Sequence, residues 1–225
     1  MSTATLSNSR EYHQAHHFPT ARLEAETSKL GMWIFLATEI LLFSGLFMAY
    51  SAYRYTHAEM FKAAHQLLDW KLGAVNTMVL IFSSLTMALG VRAAQTNKRG
   101  QTILFMLVTL ACAGAFLVVK YFEYSHKLHV GTLPGGEPGH WFSYTYKGLE
   151  GYEQPWTFFG CYFLMTGLHG IHVIIGMIAI LWVMVRSIRG DFHSKYYFPV
   201  ELVGLYWHLV DLIWIYLFPL LYLVG

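Results

Sequence analysis

Five stretches of this sequence stay apolar for long enough to cross a bilayer, and no other feature restricts its fold as severely. They lie at about 30–50, 73–95, 102–125, 155–186 and 197–223. A hydrocarbon core of about 30 Å takes about 20 helical residues to span. Inside it there is no water for backbone N–H and C=O groups, so each crossing segment must close its own hydrogen bonds, as an α-helix does. The sequence therefore predicts an all-α integral membrane bundle of five transmembrane helices. Two parts follow: a polar tail over 1–29 and a five-helix membrane domain over 30–225. Charged residues make up only 12% of the 225, and the formal net charge is +2. That balance excludes a disordered chain and a broad basic face for nucleic acid.

The tail has no early apolar stretch of the secretory kind, so it is expected to stay on the side where it is made. Arg10, Arg22, Lys29, Arg92, Lys98, Arg99, Arg186, Arg189 and Lys195 fall on the tail's side; Arg54, Lys62, Lys71, Lys127 and Lys147 fall on the other. The positive-inside rule then places the N-terminus in the cytoplasm, and an odd number of spans leaves the C-terminus outside. The connection 126–154 is the longest and is rich in Gly, Pro and aromatic residues, as functional or docking connections often are. Cys112 and Cys161 sit inside apolar runs without metal-site spacing and read as packing residues.

The informative residues are the polar ones at membrane depth. Glu39 lies near the middle of the first run, where a carboxylate costs at least about 2.5–3.5 kcal/mol. Two readings are open: a proton-linked or binding carboxylate, and a hydrogen-bonding group between helices. His172 on the fourth span is its expected partner. His169, His172 and Gly176 share one face of that span at i, i+3, i+7. The pair of histidines is expected to hydrogen-bond to a neighbouring acid, not to hold a metal. Glu201, Gly204, His208 and Asp211 form one polar stripe on the fifth span and should face protein. Glu123 lies one turn from Lys120 and is expected to pair with it locally. Gly31, Thr38 and Gly45 recur at seven-residue spacing, as do Asn76, Ser83 and Gly90. Small stripes of this kind let membrane helices approach closely.

The runs GMWIFLATEILLFSG, NTMVLIFSSLTMALG, KYFEYSH, TFFGCYFLMTGLHGIHVIIG and ELVGLYWHLVDLIWIYLFPLLY resemble, in order, five successive spans of subunit III of haem-copper respiratory oxidases. The likeness covers nearly all of residues 30–223. It implies an accessory subunit without haem or copper, with those cofactors in partner subunits. It also implies subunit I as main contact, subunit II in the same complex, bound phospholipid, and a place in a bacterial cytoplasmic membrane. By the same resemblance Glu39 matches a buried reactive carboxylate. Arg186 matches a lipid-headgroup position, with Arg189 and His172 beside it. The longer family form carries two further helices ahead of the Glu-bearing one; here the polar tail stands in their place, as in shorter bacterial members. No metal is expected in this chain. The resemblance extends to quinol oxidases and to companions of nitric oxide reductases. A secondary transporter working through Glu39, Glu201 and Asp211 is a competing class, and a dihaem redox protein another. Against the transporter stands the lack of repeated, Gly/Pro-broken span pairs.

Overall fold

A computed structural model describes residues 18–130, 149, 151–152, 154, 156–194 and 196–224. The helices are α1 (Ala21–Thr56), α2 (Ala58–His65), α3 (Trp70–Gln95), α4 (Arg99–Val130), α5 (Trp156–Arg189) and α6 (Phe198–Phe218), followed by a π-helical turn, Pro219–Leu223. Five of them, α1, α3, α4, α5 and α6 with its π turn, are long and apolar enough to cross a membrane. The chain is a multi-pass membrane protein. Most of the 126–154 connection, and Pro155, expected to open the fourth span, lie outside the described residues.

Several spans exceed the lengths that hydropathy suggests. α1 has 36 residues and α5 has 34, or about 54 and 51 Å at ~1.5 Å per residue. Both are longer than the hydrocarbon thickness, so they tilt or project. α1 starts at Ala21, inside the polar segment, because Thr20 caps it by accepting from Leu23 N at 3.2 Å. Asp69 caps α3 through Lys71 N (2.9 Å) and Leu72 N (3.4 Å). These short polar side chains satisfy amides that the first helical turn leaves open. Pro199 opens α6, where its missing N–H costs nothing. α2 carries no run of spanning length; Met60, Phe61 and Ala64 fold it back onto the bundle.

α3, α4, α5 and α6 close a ring in which each helix packs against two others, and α1 lies along α5 and α6. The ring is filled by Trp207, Trp214, Phe116, Phe158, Phe159, Leu80, Met87 and Met106. Two glycines let large rings enter. A Cβ on Gly176 would sit 2.8 Å from Trp207, and one on Gly73 would sit 2.7 Å from Phe218. α1 is packed on one flank only: Leu41 and Met48 are 71% and 74% exposed, and Trp33 and Ile34 also face outward. The Gly31–Thr38–Gly45 stripe expected to bring α1 close to a neighbour is exposed, with nothing within 4 Å of a Cβ at either glycine, so α1 rests on the ring through polar and aromatic contacts on its other face.

Candidate functional site

Glu39 on α1 meets His172 on α5. His172 Nε2 lies 2.8 Å from Glu39 Oε2, and its Nδ1 lies 2.8 Å from the Leu168 carbonyl oxygen. A carbonyl only accepts, so Nδ1 carries a hydrogen. The Nε2–Oε2 axis then holds one proton, either as carboxylic acid to imidazole or as carboxylate to imidazolium. The edge of the Phe43 ring packs against the imidazole, and Tyr206 Oη donates to the His172 carbonyl at 3.3 Å. Both side chains are largely enclosed by protein, 10% and 15% exposed. The pair anchors α1 to the ring at membrane depth.

A second cluster sits where α4, α5 and the π turn converge. Glu123 accepts from Lys120 (2.8 Å), Lys127 (2.9 Å), Tyr162 (2.8 Å) and Tyr222 (2.7 Å). The Lys120 ammonium also lies 4.6 Å from the Trp214 ring centre. The expected local pair with Lys120 is formed, but it is one part of a four-donor cluster inside the bundle. At 7% exposure Glu123 is enclosed by protein. Lys127 was missed although its i+4 spacing signals it; Tyr162 and Tyr222 carry no such signal, since they come from α5 and from the π turn. Beside them Tyr124 and Thr166 share a hydroxyl–hydroxyl bond between α4 and α5.

The α6 stripe faces two different neighbours. His208 Nδ1 lies 2.7 Å from Ser84 Oγ, and Asp211 Oδ2 lies 3.4 Å from Ser83 Oγ, both on α3. Trp207 Nε1 donates to the same Ser83 Oγ at 3.1 Å. Gly204 gives Val91 and Met87 of α3 room to approach. Glu201 instead pairs with Lys29 of α1 at 2.8 Å. One helical face thus serves both neighbours, since α6 is flanked by α3 on one side and by α1 on the other, where Phe47 also meets Tyr216 at 4.6 Å between ring centres.

His169 departs from the polar network expected of it. It is fully buried, and among the described residues neither ring nitrogen has a hydrogen-bonding partner. Its ring packs against Trp214 (5.2 Å between centroids) and the edge of Phe116 (5.5 Å). The i, i+3 spacing turns His169 into the ring of four helices while His172 reaches α1. Among the described residues no three His, Cys, Asp or Glu side chains gather as a metal-binding group.

Arg186 Nε donates to Asp191 at 3.0 Å, across the turn that follows α5. Its guanidinium also lies about 5.1 Å from the Trp182 and Phe192 rings. Arg189 lies in the last turn of α5. The nearby turns are tied together by Ser194 N donating to Asn97 Oδ1 at 2.6 Å.

Residues 144–225 match the family described as Cytochrome c oxidase subunit III. Cytochrome c oxidase subunit 3 of Synechocystis sp. is 32% identical, over 95% of this chain and 80% of that protein. The protein of the same name from Thermostichus vulcanus is 33% identical, over 93% and 90%. A probable quinol oxidase subunit 3 of Staphylococcus aureus is 25% identical, over 95% and 96%. With a five-span bundle and relatives that match over nearly its whole length, this chain belongs to the cytochrome c oxidase subunit III family.

Proposed function

We propose that this chain is the accessory subunit III of a proton-translocating haem-copper terminal oxidase in a bacterial cytoplasmic membrane. In this reading it stabilises subunit I, sits in a complex that also holds subunit II, keeps phospholipid in place and supports proton uptake. Haem and copper belong to the partner subunits, and electron transfer runs through them. Cytochrome c is the proposed donor, because the two cytochrome c oxidase relatives are more similar than the quinol oxidase relative.

The observation that carries this reading is the setting of Glu39. The acid is held by His172 across a helix whose opposite flank is bare and apolar. A helix anchored on one side, by this pair at membrane depth and by Lys29–Glu201 and Tyr50–Leu220 toward its ends, offers its other side to lipid or to a partner subunit. Arg186 suits a lipid phosphate because its planar fork makes parallel charge-assisted bonds. Arg189 is its proposed neighbour at the headgroup. His172, expected beside it, lies fourteen residues back along α5, about 21 Å away at ~1.5 Å per residue. Both its ring nitrogens are taken, by Leu168 and Glu39.

Removal of the subunit tests the proposal. The remaining complex is expected to keep its haem absorption spectrum and its initial turnover rate. Its activity should then decline during sustained turnover, and its proton uptake at neutral to alkaline pH should slow. Loss of haem incorporation or of the first turnovers would overturn the accessory reading.

A further inference from the structure

Arg92 is a cation at the edge of the membrane with no acid beside it. It lies three residues before the end of α3, a helix of 26 residues. Such a helix reaches about 39 Å at ~1.5 Å per residue, against a hydrocarbon core of about 30 Å. Arg92 therefore falls at the boundary between acyl chains and headgroups, on the side that carries the tail. Among the described residues no Asp or Glu lies within ion-pair distance of it. Glu201, in the first turn of α6, gives one carboxylate oxygen to Lys29 at 2.8 Å. Its other oxygen is enclosed and has no hydrogen-bonding partner among the described residues.

Arg92, Gln95 and Glu201 line one end of a groove of about 310 Å³ between α3 and α6. Further into the membrane its walls are small or apolar: Ala88 and Val91 on α3, Gly204 and Leu205 on α6. At the deep end His208 already shares a hydrogen bond with Ser84, 2.7 Å from Nδ1 to Oγ. The groove is thus charged at its mouth and apolar along its length. Lys29, Arg92 and Glu201 together leave one net positive charge at that mouth. The complement is an amphiphile with one net negative charge on its head and a tail that follows the helices.

We propose that the α3–α6 groove binds an anionic glycerophospholipid of the phosphatidylglycerol class, from the leaflet on the tail's side. The phosphodiester meets the Arg92 guanidinium, whose planar fork makes parallel charge-assisted bonds, and the Gln95 amide donates beside it. The hydroxyls of the head donate to the Glu201 carboxylate. One acyl chain lies along Ala88, Val91 and Leu205. A phosphoethanolamine head fits less well: it carries no net charge, so the positive charge of the mouth stays, and its ammonium competes with Lys29 for Glu201. The groove is a second place for the lipid-holding part of the proposed role. It is separate from the headgroup contact of Arg186, which lies at the end of α5.

Photolabelling of the purified oxidase complex in vesicles tests this. The vesicles are phosphatidylcholine doped with a phosphatidylglycerol whose acyl chain carries a diazirine, and labelled peptides are read by mass spectrometry. The wild type is expected to be labelled over 88–91 and 204–205 above the other lipid-facing segments. Unlabelled phosphatidylglycerol should displace that label, and phosphatidylethanolamine should not. Arg92→Gln should cut the labelling about tenfold, the scale of a lost hydrogen bond to a charged group, and Arg186→Ala should leave it unchanged. Ala88→Trp, at an exposed position, should block the groove without altering its charge, and it decides if Arg92→Gln does not assemble. Labelling spread evenly around the bundle, or indifferent to both groove variants, would mean bulk lipid only and overturn the site. Equal displacement by phosphatidylethanolamine would overturn the choice of head. A benzophenone amino acid in place of Ala88 that captures another subunit would give the groove to protein, and the proposal would fail. None of these readouts depends on turnover, so their failure leaves the accessory role to its own test.

Discussion

His172 shows how one side chain settles the chemistry of another. Its Nδ1 is committed to the Leu168 carbonyl, so only Nε2 faces Glu39. Glu39→Gln keeps a donor for that nitrogen, whereas Glu39→Leu leaves it buried and unpaired. The leucine variant is expected to lose about 1–3 kcal/mol, and the glutamine variant less. Thermal loss of helical circular dichroism in the purified complex gives the comparison; equal losses would mean that the pair does not act through its hydrogen bond. At Arg186 the expectation concerns lipid. Arg186→Ala should lower the phospholipid retained after detergent extraction, counted by mass spectrometry, and an unchanged count would refute the headgroup contact. The Glu39 partnership was legible in the sequence, because a lone mid-span acid demands a partner and His172 stood on the polar face of the fourth span; that the first and fourth spans touch is known only from the packing. The fate of His169 was not legible. Spacing puts two histidines on one face, but only packing shows that the face splits between α1 and the interior of the ring.

Between elements, the contacts are made by cations on aromatic rings and by glycines under large rings. Glu123 binds two lysines and two tyrosines from three segments. Glu123→Ala would leave the Lys120 charge buried beside Trp214 without its carboxylate. Breaking a buried pair in this way costs about 3–5 kcal/mol. The double variant Lys120→Met with Glu123→Met should recover part of that loss, because it removes the charges together. Melting temperatures of the three complexes check the order; a double variant no better than the single would show that the tyrosine bonds carry the junction. Gly176→Ala forces a Cβ to 2.8 Å from Trp207, and overpacking of that kind costs about 1–3 kcal/mol. The short α2 escaped the hydropathy reading because eight residues cannot show a membrane-length run. Its existence depends on Met60, Phe61 and Ala64 finding a surface to cover.

For the whole molecule, the open question of physics is which way the bundle sits. The bias of basic residues toward the tail's side predicts a cytoplasmic N-terminus. Reporter fusions at Gly100 and Gly136 should score on opposite sides of the membrane, with Gly100 inside; matching signals would break the five-span topology. The sequence by itself determined the class and the number of crossings, since a backbone in hydrocarbon must satisfy its own hydrogen bonds and long apolar runs leave only helices. It also marked the polar residues that need protein around them, since lipid offers none of them a partner. It did not determine which partner each would find. The α6 stripe reads as one face, yet Glu201 goes to Lys29 of α1 while His208 and Asp211 go to the serines of α3. Glu123 reads as a local pair, yet it gathers Tyr162 from α5 and Tyr222 from a π turn. Those choices depend on tilt, on the depth at which helices cross, and on where glycines let rings pass. These are properties of helices packed together, and no periodicity within a single helix encodes them.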